Sequence, residues 1–152
     1  MKGNEARFKE LGLKLPALPP ALGAYIPAVR SGNLVFCSGQ GTYKDGSLRY
    51  LGKVGAGISL EDGYQAARLA GLNCLAEICS LTGSLDRIKR IVKLTGFVNS
   101  APDFHDQPKV VNGASELMLQ IFGEEGKHAR SAIGTSNLPG NIAVEVEMVV
   151  EV

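Results

Sequence analysis

The feature that most constrains the fold is an alternation of side chains in the last segment of the chain, Ile142 to Val150. Every second residue from Val144 onward is apolar, whereas the residues between include Glu145 and Glu147. Successive side chains of a β-strand point to opposite faces of its sheet, so only one face of this strand can join an apolar core. The sequence therefore predicts a sheet whose second face meets a partner subunit or lines a wet cleft.

Two helices are predicted from capping signals and apolar periodicity. Residues Ser59 to Asp62 have the form of a capping box, and apolar side chains then recur at three- or four-residue steps up to Gly83. A second helix is expected to begin near Asp106 to Pro108, because proline is tolerated in a first helical turn, and to end at Gly123.

Strand signals surround these helices. The segment Asp45-Gly46 predicts a tight hairpin. The resulting order β-β-α-β-α-β-β favours an α+β fold in which one sheet carries both helices on one face. The predicted sheet strands are Ala28–Val29, Leu34–Gln40, Ile91–Val98, Arg130–Thr135 and Ile142–Val150.

Arg130 lies at the entrance of the second-to-last strand and is the first candidate for function. We expect it to face Glu145 and Glu147 one hairpin away, where its guanidinium could hold a small anionic substrate while an acid or base acts on it. The alternative is a structural arginine paired with one of these glutamates, or with a glutamate across an interface.

The composition of the chain limits the classes of function that it can have. A chain of 152 residues with a formal net charge of +1 fits one domain and gives little support for nucleic-acid binding. Three cysteines without metal-type spacing indicate reduced, buried thiols and a cytoplasmic protein, and no apolar run is long enough to span a membrane. Since no phosphate loop, dinucleotide motif or metal triad is evident, we expect no cofactor and no metal.

The first 22 residues differ from the rest of the chain. Glu5 to Gly12 favours a short helix, and the proline-rich stretch from Lys14 to Pro20 favours an extended path. We therefore expect an N-terminal arm over residues 1–22 and a single domain over residues 23–152.

Several short segments occur in a fixed order and spacing along most of the chain. The segments are Gly23–Tyr25, Pro27–Val29, Asn33–Phe36, Ser38–Gln40, Val92–Lys93, Phe97–Val98, Asp103–Phe104, Val111–Asn112, Ala129–Ser131, Leu138–Pro139 and Val144–Glu147. In this order they resemble the reactive-intermediate deaminase family, known as YjgF, YER057c and UK114, and within it a longer, RidA-like branch with an N-terminal arm.

This resemblance implies a chorismate-mutase-like fold assembled as a homotrimer around a central barrel, with clefts between subunits. It also implies hydrolysis of small enamines and imines, such as 2-aminoacrylate, to a 2-keto acid and ammonia. The expected ligands are small carboxylates or imino acids, and no nucleic acid or membrane partner is expected.

The resemblance also implies roles for particular residues. Arg130 matches the arginine that holds the substrate carboxylate, and Glu145 matches the glutamate that orients the attacking water. Tyr25 and Asn112 match residues that line the pocket, although Tyr25 could equally belong to the core and Asn112 could face solvent.

Ser38 and Gly39 complete the expected pocket, because glycine at a strand end lets the backbone approach a small ligand. The alternative is a simple bulge or strand end. For Glu147 an exposed or interfacial strand face is the preferred interpretation.

The chain departs from the family pattern at two positions. Ala132 replaces a cysteine that many members carry two residues after the arginine, and His128 replaces a proline. His128 could titrate at the mouth of a cleft or hydrogen-bond a loop, and we favour the loop. Besides an imine hydrolase, a non-catalytic binder of keto acids stays open, and an endoribonuclease or translation inhibitor is a third, less favoured class.

Overall fold

A computed structural model describes residues 2–18 and 20–152 of the chain. The helices are α1 (Asn4–Glu10), α2 (Leu60–Thr82) and α3 (Gln107–Phe122). The strands are β1 (Ala28–Ser31), β2 (Leu34–Gln40), β3 (Tyr43–Lys44), β4 (Ser47–Leu48), β5 (Arg90–Asn99), β6 (Ala129–Thr135) and β7 (Val144–Glu151). Short 3-10 turns cover Leu85–Arg87, Gly123–Gly126 and Pro139–Asn141.

The main sheet has the strand order β1-β2-β7-β5-β6. Strand β7 is antiparallel to both β2 and β5, so β2 and β5 run in the same direction, and β5 is parallel to β6. The chain therefore makes two parallel strand–helix–strand passes, and β7 fills the gap that the first pass leaves open.

The expected hairpin between the last two strands is wrong. Strands β6 and β7 are consecutive in the chain, but β5 lies between them in the sheet. Residues Leu138 to Asn141 therefore belong to a connection that crosses over β5 instead of a tight turn between paired strands.

Both long helices form where their capping signals predict them. The Ser59 hydroxyl accepts a hydrogen bond from the backbone N–H of Asp62 at 3.0 Å, which satisfies one free donor of the first turn of α2. Gly83 ends the helix in the left-handed conformation at φ 93°, which glycine adopts without a Cβ clash. Pro108 lies in the first turn of α3, as predicted, and Gly123 follows its last residue.

A small two-stranded sheet confirms the predicted tight hairpin. Strands β3 and β4 are joined by Asp45 and Gly46, with φ values of 51° and 85°. Two positive φ values in succession are what a two-residue hairpin turn with the twist of the strands requires.

The core lies between the sheet and helices α2 and α3, which confirms the predicted α+β class with both long helices on one face. Alternate residues of β7, from Val144 to Val150, are buried at this face. The N-terminal segment also contributes, since Phe8 of α1 is buried and joins the core. In the expected extended stretch the described residues form no helix or strand, and Pro19 lies outside the described residues.

Helices α2 and α3 approach so closely that one crossing point has no room for a side chain. A Cβ built on Gly113 of α3 would lie 2.0 Å from the carbonyl oxygen of Tyr64 in α2. At Gly71 of α2 the same construction meets Ala114 at 3.4 Å, an ordinary contact. Gly113 is thus required by backbone proximity, whereas Gly71 is not.

We expect Gly113→Ala to lower the free energy of unfolding by roughly 1–3 kcal/mol or more, because the two helices must move apart. The matched variant Gly71→Ala should be neutral or stabilising by up to about 1 kcal/mol, since alanine favours a helix over glycine. Urea denaturation followed by circular dichroism, at equal protein concentrations, measures both. Equal effects of the two substitutions would contradict the assigned crossing point.

Candidate functional site

Arg130 lies on the helix side of the edge strand β6. It pairs in register with Leu94 of β5, which is fully buried under the helices, and paired residues of a ladder point to the same face. Its Nη1 donates to Oδ1 of Asn112 at 2.7 Å and to Oγ of Ser115 at 3.2 Å. Both acceptors stand on α3, so Asn112 faces the arginine instead of lying free in solvent.

The remaining donors of Arg130 have no partner in the part of the chain that the structure describes. Among residues 2–18 and 20–152 neither its Nε nor its Nη2 has a hydrogen-bond partner, and no carboxylate lies within ion-pair distance. Nε and Nη2 form one of the two edges through which a guanidinium binds a carboxylate by parallel bonds. The expected pairing of Arg130 with Glu145 or Glu147 is thus not found within the chain.

His128 extends the contacts around Arg130. Its Nδ1 lies 2.7 Å from the carbonyl oxygen of Gly126, which can only accept, so Nδ1 carries the proton in the neutral ring. Its Nε2 lies 2.9 Å from Oγ of Ser115. The predicted loop contact of His128 exists, but the ring also reaches the residue that contacts Arg130. We call Arg130, Asn112, Ser115 and His128 the arginine cluster.

The pKa of His128 lies below its usual value. Burial lowers it most, the hydrogen bond to the carbonyl of Gly126 opposes this shift, and the positive charge of Arg130 lowers it further. The imidazole is therefore unprotonated at neutral pH, and its Nε2 can accept a hydrogen bond from the hydroxyl of Ser115.

Glu145 lies on the opposite face of the sheet, which the helices leave open. It pairs in register with Phe97 of β5 and alternates with buried residues of β7 that face the helices. Burial raises the pKa of Glu145, and the neighbouring charge of Glu147 raises it further. Glu145 is half-buried and Glu147 is exposed, as preferred for the latter from the sequence.

The absence of a side chain at Gly39 leaves room for the carboxyl of Glu145. A Cβ built on Gly39 would lie 2.8 Å from Cδ of Glu145, so any larger residue there would displace the carboxyl. The pairing of β2 with β7 shifts register between Cys37 and Gln40, so Ser38 and Gly39 form an irregularity in the strand. We call Glu145, Ser38 and Gly39 the glutamate cluster.

The arginine and glutamate clusters lie apart within one chain. Arg130 points to the helix side of β6, Glu145 to the open side of β7, and β5 separates the two strands. The expectation that Arg130 faces the carboxylates is therefore wrong for a single chain. A ligand could contact both clusters only if a second copy of the chain supplied one of them.

Tyr25 belongs to neither cluster within the chain. Its side chain is half-exposed in the irregular segment before β1, and no hydrogen bond in the described part of the chain joins it to Arg130, Asn112 or Glu145. Nearby, the open face of the sheet forms a hollow of about 310 Å³. Its lining includes Ile26, Val29, Phe36, Ser38, Thr95 and Glu147.

The cysteines and the remaining candidate metal ligands lie outside the two clusters. Cys37, Cys74 and Cys79 are free thiols, and burial raises the pKa of Cys79 to about 11, with a smaller contribution from Glu5. Within the described residues no three histidine, cysteine or acidic side chains are grouped as metal ligands. None of the helices described is both long and apolar enough to cross a bilayer.

Ser115 is the member of the arginine cluster to which the sequence pointed least. It follows Asn112 by three residues, so the two share one face of α3. That spacing could have indicated that two polar side chains of α3 bind the same group. It could not identify the target, because Arg130 lies on a distant strand.

Comparisons with known proteins agree with this architecture. The model of the family described as “YjgF/chorismate_mutase-like, putative endoribonuclease” matches residues 5–152. Protein TCP17 of Trypanosoma cruzi is 44% identical over 147 residues, which are 96% of this chain and 92% of that protein. A 2-iminobutanoate/2-iminopropanoate deaminase of Dermatophagoides farinae is 26% identical over 138 residues, or 91% and 93% of the two chains.

A solved structure confirms the fold class implied by the resemblance. The crystal structure of a “putative endoribonuclease” from Shewanella oneidensis MR-1 superposes with a TM-score of 0.96 at 38% identity and covers 99% of this chain and 100% of that one. At this similarity both the course of the backbone and the positions of the strands are shared.

The raised pKa of Glu145 predicts a pH-dependent effect of its removal. An acid whose pKa is raised by folding favours the folded state at low pH and loses that contribution as the pH rises through the folded-state pKa. Glu145→Gln should therefore raise the midpoint of thermal unfolding at pH 7, with the gain shrinking as the pH falls through that pKa. Scanning calorimetry of both proteins across this range measures the difference.

The exposed Glu125 provides the matched control. Glu125→Gln should leave the midpoint close to that of the wild type at each pH, since its side chain is solvated. A Glu145→Gln variant that melts below the wild type at pH 7 would contradict the assigned burial of the carboxyl.

Proposed function

The chain belongs to the YjgF/chorismate-mutase-like family, and from this premise we propose that it is a hydrolytic deaminase of small 2-imino and enamine acids. The products are a 2-keto acid and ammonia, formed without a cofactor. The observation that carries the proposal is the half-buried guanidinium of Arg130, whose Nη1 is fixed by Asn112 and Ser115 while Nε and Nη2 stay free.

Arg130 supplies binding in this proposal. A substrate carboxylate occupies the Nε and Nη2 edge through two parallel charge-assisted hydrogen bonds. These bonds fix the adjacent imine carbon relative to the protein, since the carboxylate and the imine are neighbours in a 2-imino acid. The deaminase from Dermatophagoides farinae supports this substrate class by the name it carries.

Glu145 supplies proton transfer. Water adds to the imine carbon to give a carbinolamine, and the nitrogen then leaves as ammonia after it gains a proton. A carboxyl whose pKa is raised can take a proton from the water and return one to the nitrogen. An enamine first takes a proton on its β-carbon and loses one from its nitrogen to become the imine.

The complete site requires two copies of the chain. Because the arginine and glutamate clusters face opposite sides of one sheet, we propose that Arg130 of one subunit meets Glu145 of its neighbour in a homotrimer. The open face of the sheet supports this arrangement, since it exposes the large apolar side chains Val29, Phe36 and Ile133. Tyr25, also exposed, is proposed to line the shared cleft.

A non-catalytic keto-acid binder is the second candidate. It is favoured by the separation of Arg130 from Glu145 within one chain, because binding alone requires only the arginine cluster. An imine hydrolase accelerates ammonia release from a generated imino acid, whereas a binder shows affinity without acceleration.

Cleavage of RNA, named in the family description, has less support. His128 contacts Ser115, which lies more than two helical turns after the first residue of α3. His105 lies before the first residue of α3. The two histidines of one chain are therefore too far apart to act as an acid–base pair on one phosphate.

Substitution of Arg130 tests the binding role. Arg130→Ala should lower kcat/KM for imine hydrolysis by roughly 10- to 100-fold or more, the scale of a lost charge-assisted contact, and Arg130→Lys should retain part of it. Stopped-flow decay of an imino acid generated by an amino-acid oxidase measures both. Arg87→Ala, at an exposed arginine away from the cluster, should match the wild type. Full activity of an assembled Arg130→Ala protein would remove the carboxylate assignment.

Mixed oligomers test whether the site is shared. Arg130→Ala and Glu145→Gln proteins should each be impaired, but their co-expression should restore roughly a quarter of wild-type activity, the share of random interfaces that pair intact residues. Light scattering of the wild type should give the mass of a trimer. Mixed oligomers with no recovery would place both residues in one subunit's own site and contradict the shared cleft.

A further inference from the structure

His128 is the one group of the arginine cluster for which the proposed chemistry has no use. It cannot reach the free edge of Arg130, since its two ring nitrogens are occupied by Gly126 and Ser115. We propose that His128 is a positioning residue: its unprotonated Nε2 fixes the hydroxyl of Ser115 so that the hydroxyl oxygen accepts from Arg130. This inference rests on the proposed function and names a further determinant of the same site.

The directions of the hydrogen bonds follow from the chemistry of each partner. The carbonyl of Gly126 takes the proton of Nδ1, so the neutral ring has only a lone pair at Nε2. The hydroxyl of Ser115 must then donate to Nε2, at 2.9 Å, and its oxygen is left to accept from Nη1 of Arg130, at 3.2 Å. The chain of bonds therefore has one polarity from Arg130 to Gly126.

Protonation of His128 would break this polarity. An imidazolium has no lone pair at Nε2, so Ser115 would have to turn its proton away and accept from two cationic donors at once. The guanidinium would then be held firmly by Asn112 alone. The lowered pKa of His128 keeps the ring unprotonated at neutral pH and so maintains the arrangement.

Other charges lie beside His128 and bear on its titration. Arg130 faces the ring through Ser115, and Arg90 of β5, Lys127 of the preceding turn and Glu151 of β7 line the same cleft. Lys127 is paired with Glu124 at 2.8 Å. Among these groups it is the positive charge of Arg130 that lowers the pKa of His128 and so opposes protonation of the ring.

The first test measures the coupling without any assay of activity. Nitrogen-15 spectra of the histidine rings should show the Nδ1–H tautomer for His128 in the wild type. Both Ser115→Ala and Arg130→Gln should raise its pKa, because the first removes a donor to the neutral ring and the second removes a positive charge. An Nε2–H tautomer, or a pKa that neither substitution moves, would overturn the proposal and leave His128 as a loop contact.

The second test measures the affinity of the whole protein for 2-oxobutanoate by calorimetry between pH 8 and pH 5. His128→Gln retains an acceptor for Ser115 and should bind like the wild type at pH 8, whereas His128→Leu should bind roughly 2- to 10-fold more weakly, the scale of one lost neutral hydrogen bond. His105→Leu, at the other histidine of the chain, is the matched control and should not change the affinity.

Acidification distinguishes positioning from simple charge. The wild type should lose affinity relative to His128→Gln as the pH falls through the pKa of His128, and the comparison cancels the titration of Glu145, which both proteins share. A gain of affinity relative to His128→Gln would show that the imidazolium attracts the anion, and would overturn the proposal. So would equal affinity of the leucine and glutamine variants.

The two tests separate this inference from the proposed function. A protein that binds no 2-oxobutanoate but shows the coupled titration of His128 would contradict carboxylate binding and support the positioning of Arg130. Normal binding with an uncoupled His128 would contradict the positioning role alone.

Discussion

The rest of the structure depends on the insertion of the last strand, β7, between β2 and β5. Until β7 is in place, the first strand–helix–strand pass leaves two parallel strands separated by an open gap. The backbone of β7 pairs with a strand on each side. Because successive side chains of a strand point to opposite faces, only alternate residues of β7 have to fit the core. The same step places the carboxyl of Glu145 over Gly39 and separates it from Arg130 by one strand.

A sheet with one covered face leaves the glutamate cluster in an environment of intermediate polarity. Glu145 lies between the backbone of Gly39 and the side chain of Phe97, with Glu147 two residues along the same face. Burial and a like charge both disfavour its ionised form, so the folded chain carries an unfavourable carboxylate at neutral pH. Such an arrangement costs stability and is typical of groups that transfer protons.

Local signals in the sequence predicted most helices and turns correctly. The order of the strands in the sheet was harder to predict, because it depends on pairing between residues far apart in the chain. The capping residue Ser59, the stop at Gly83 and the turn at Asp45 each act within a few residues, and each was confirmed. The hairpin of the last two strands was wrong because the choice of neighbour for β7 depends on strands far away in the chain. Neighbouring strands in sequence pair often, but here β7 pairs with β2 on one side and with β5 on the other, so neither of its edges is left for β6.

The candidate residues were found by type and spacing, but their orientation was not predictable from either. Alternation placed Glu145 opposite the core, as observed, because the pattern of β7 is strict. For Arg130 the strand pattern is weak, with small residues on both sides, and nothing in the sequence indicates that Asn112 and Ser115 hold it toward α3. Contacts between a strand and a helix that precedes it by some fifteen residues depend on the packed fold.

The nature of those contacts bears on how Arg130 can act. Had a glutamate of the same chain paired with the guanidinium, an incoming carboxylate would have had to displace it and leave a second anion without a partner. Asn112 and Ser115 fix the geometry through neutral oxygens and leave the positive charge uncompensated. A half-buried charge of this kind is more favourable once an anion neutralises it, and the free Nε and Nη2 edge determines that a planar, two-oxygen anion fits best. The two hydrogen bonds to α3 and the lack of a counter-ion among the described residues therefore act together, since the first orients the charge and the second leaves it available.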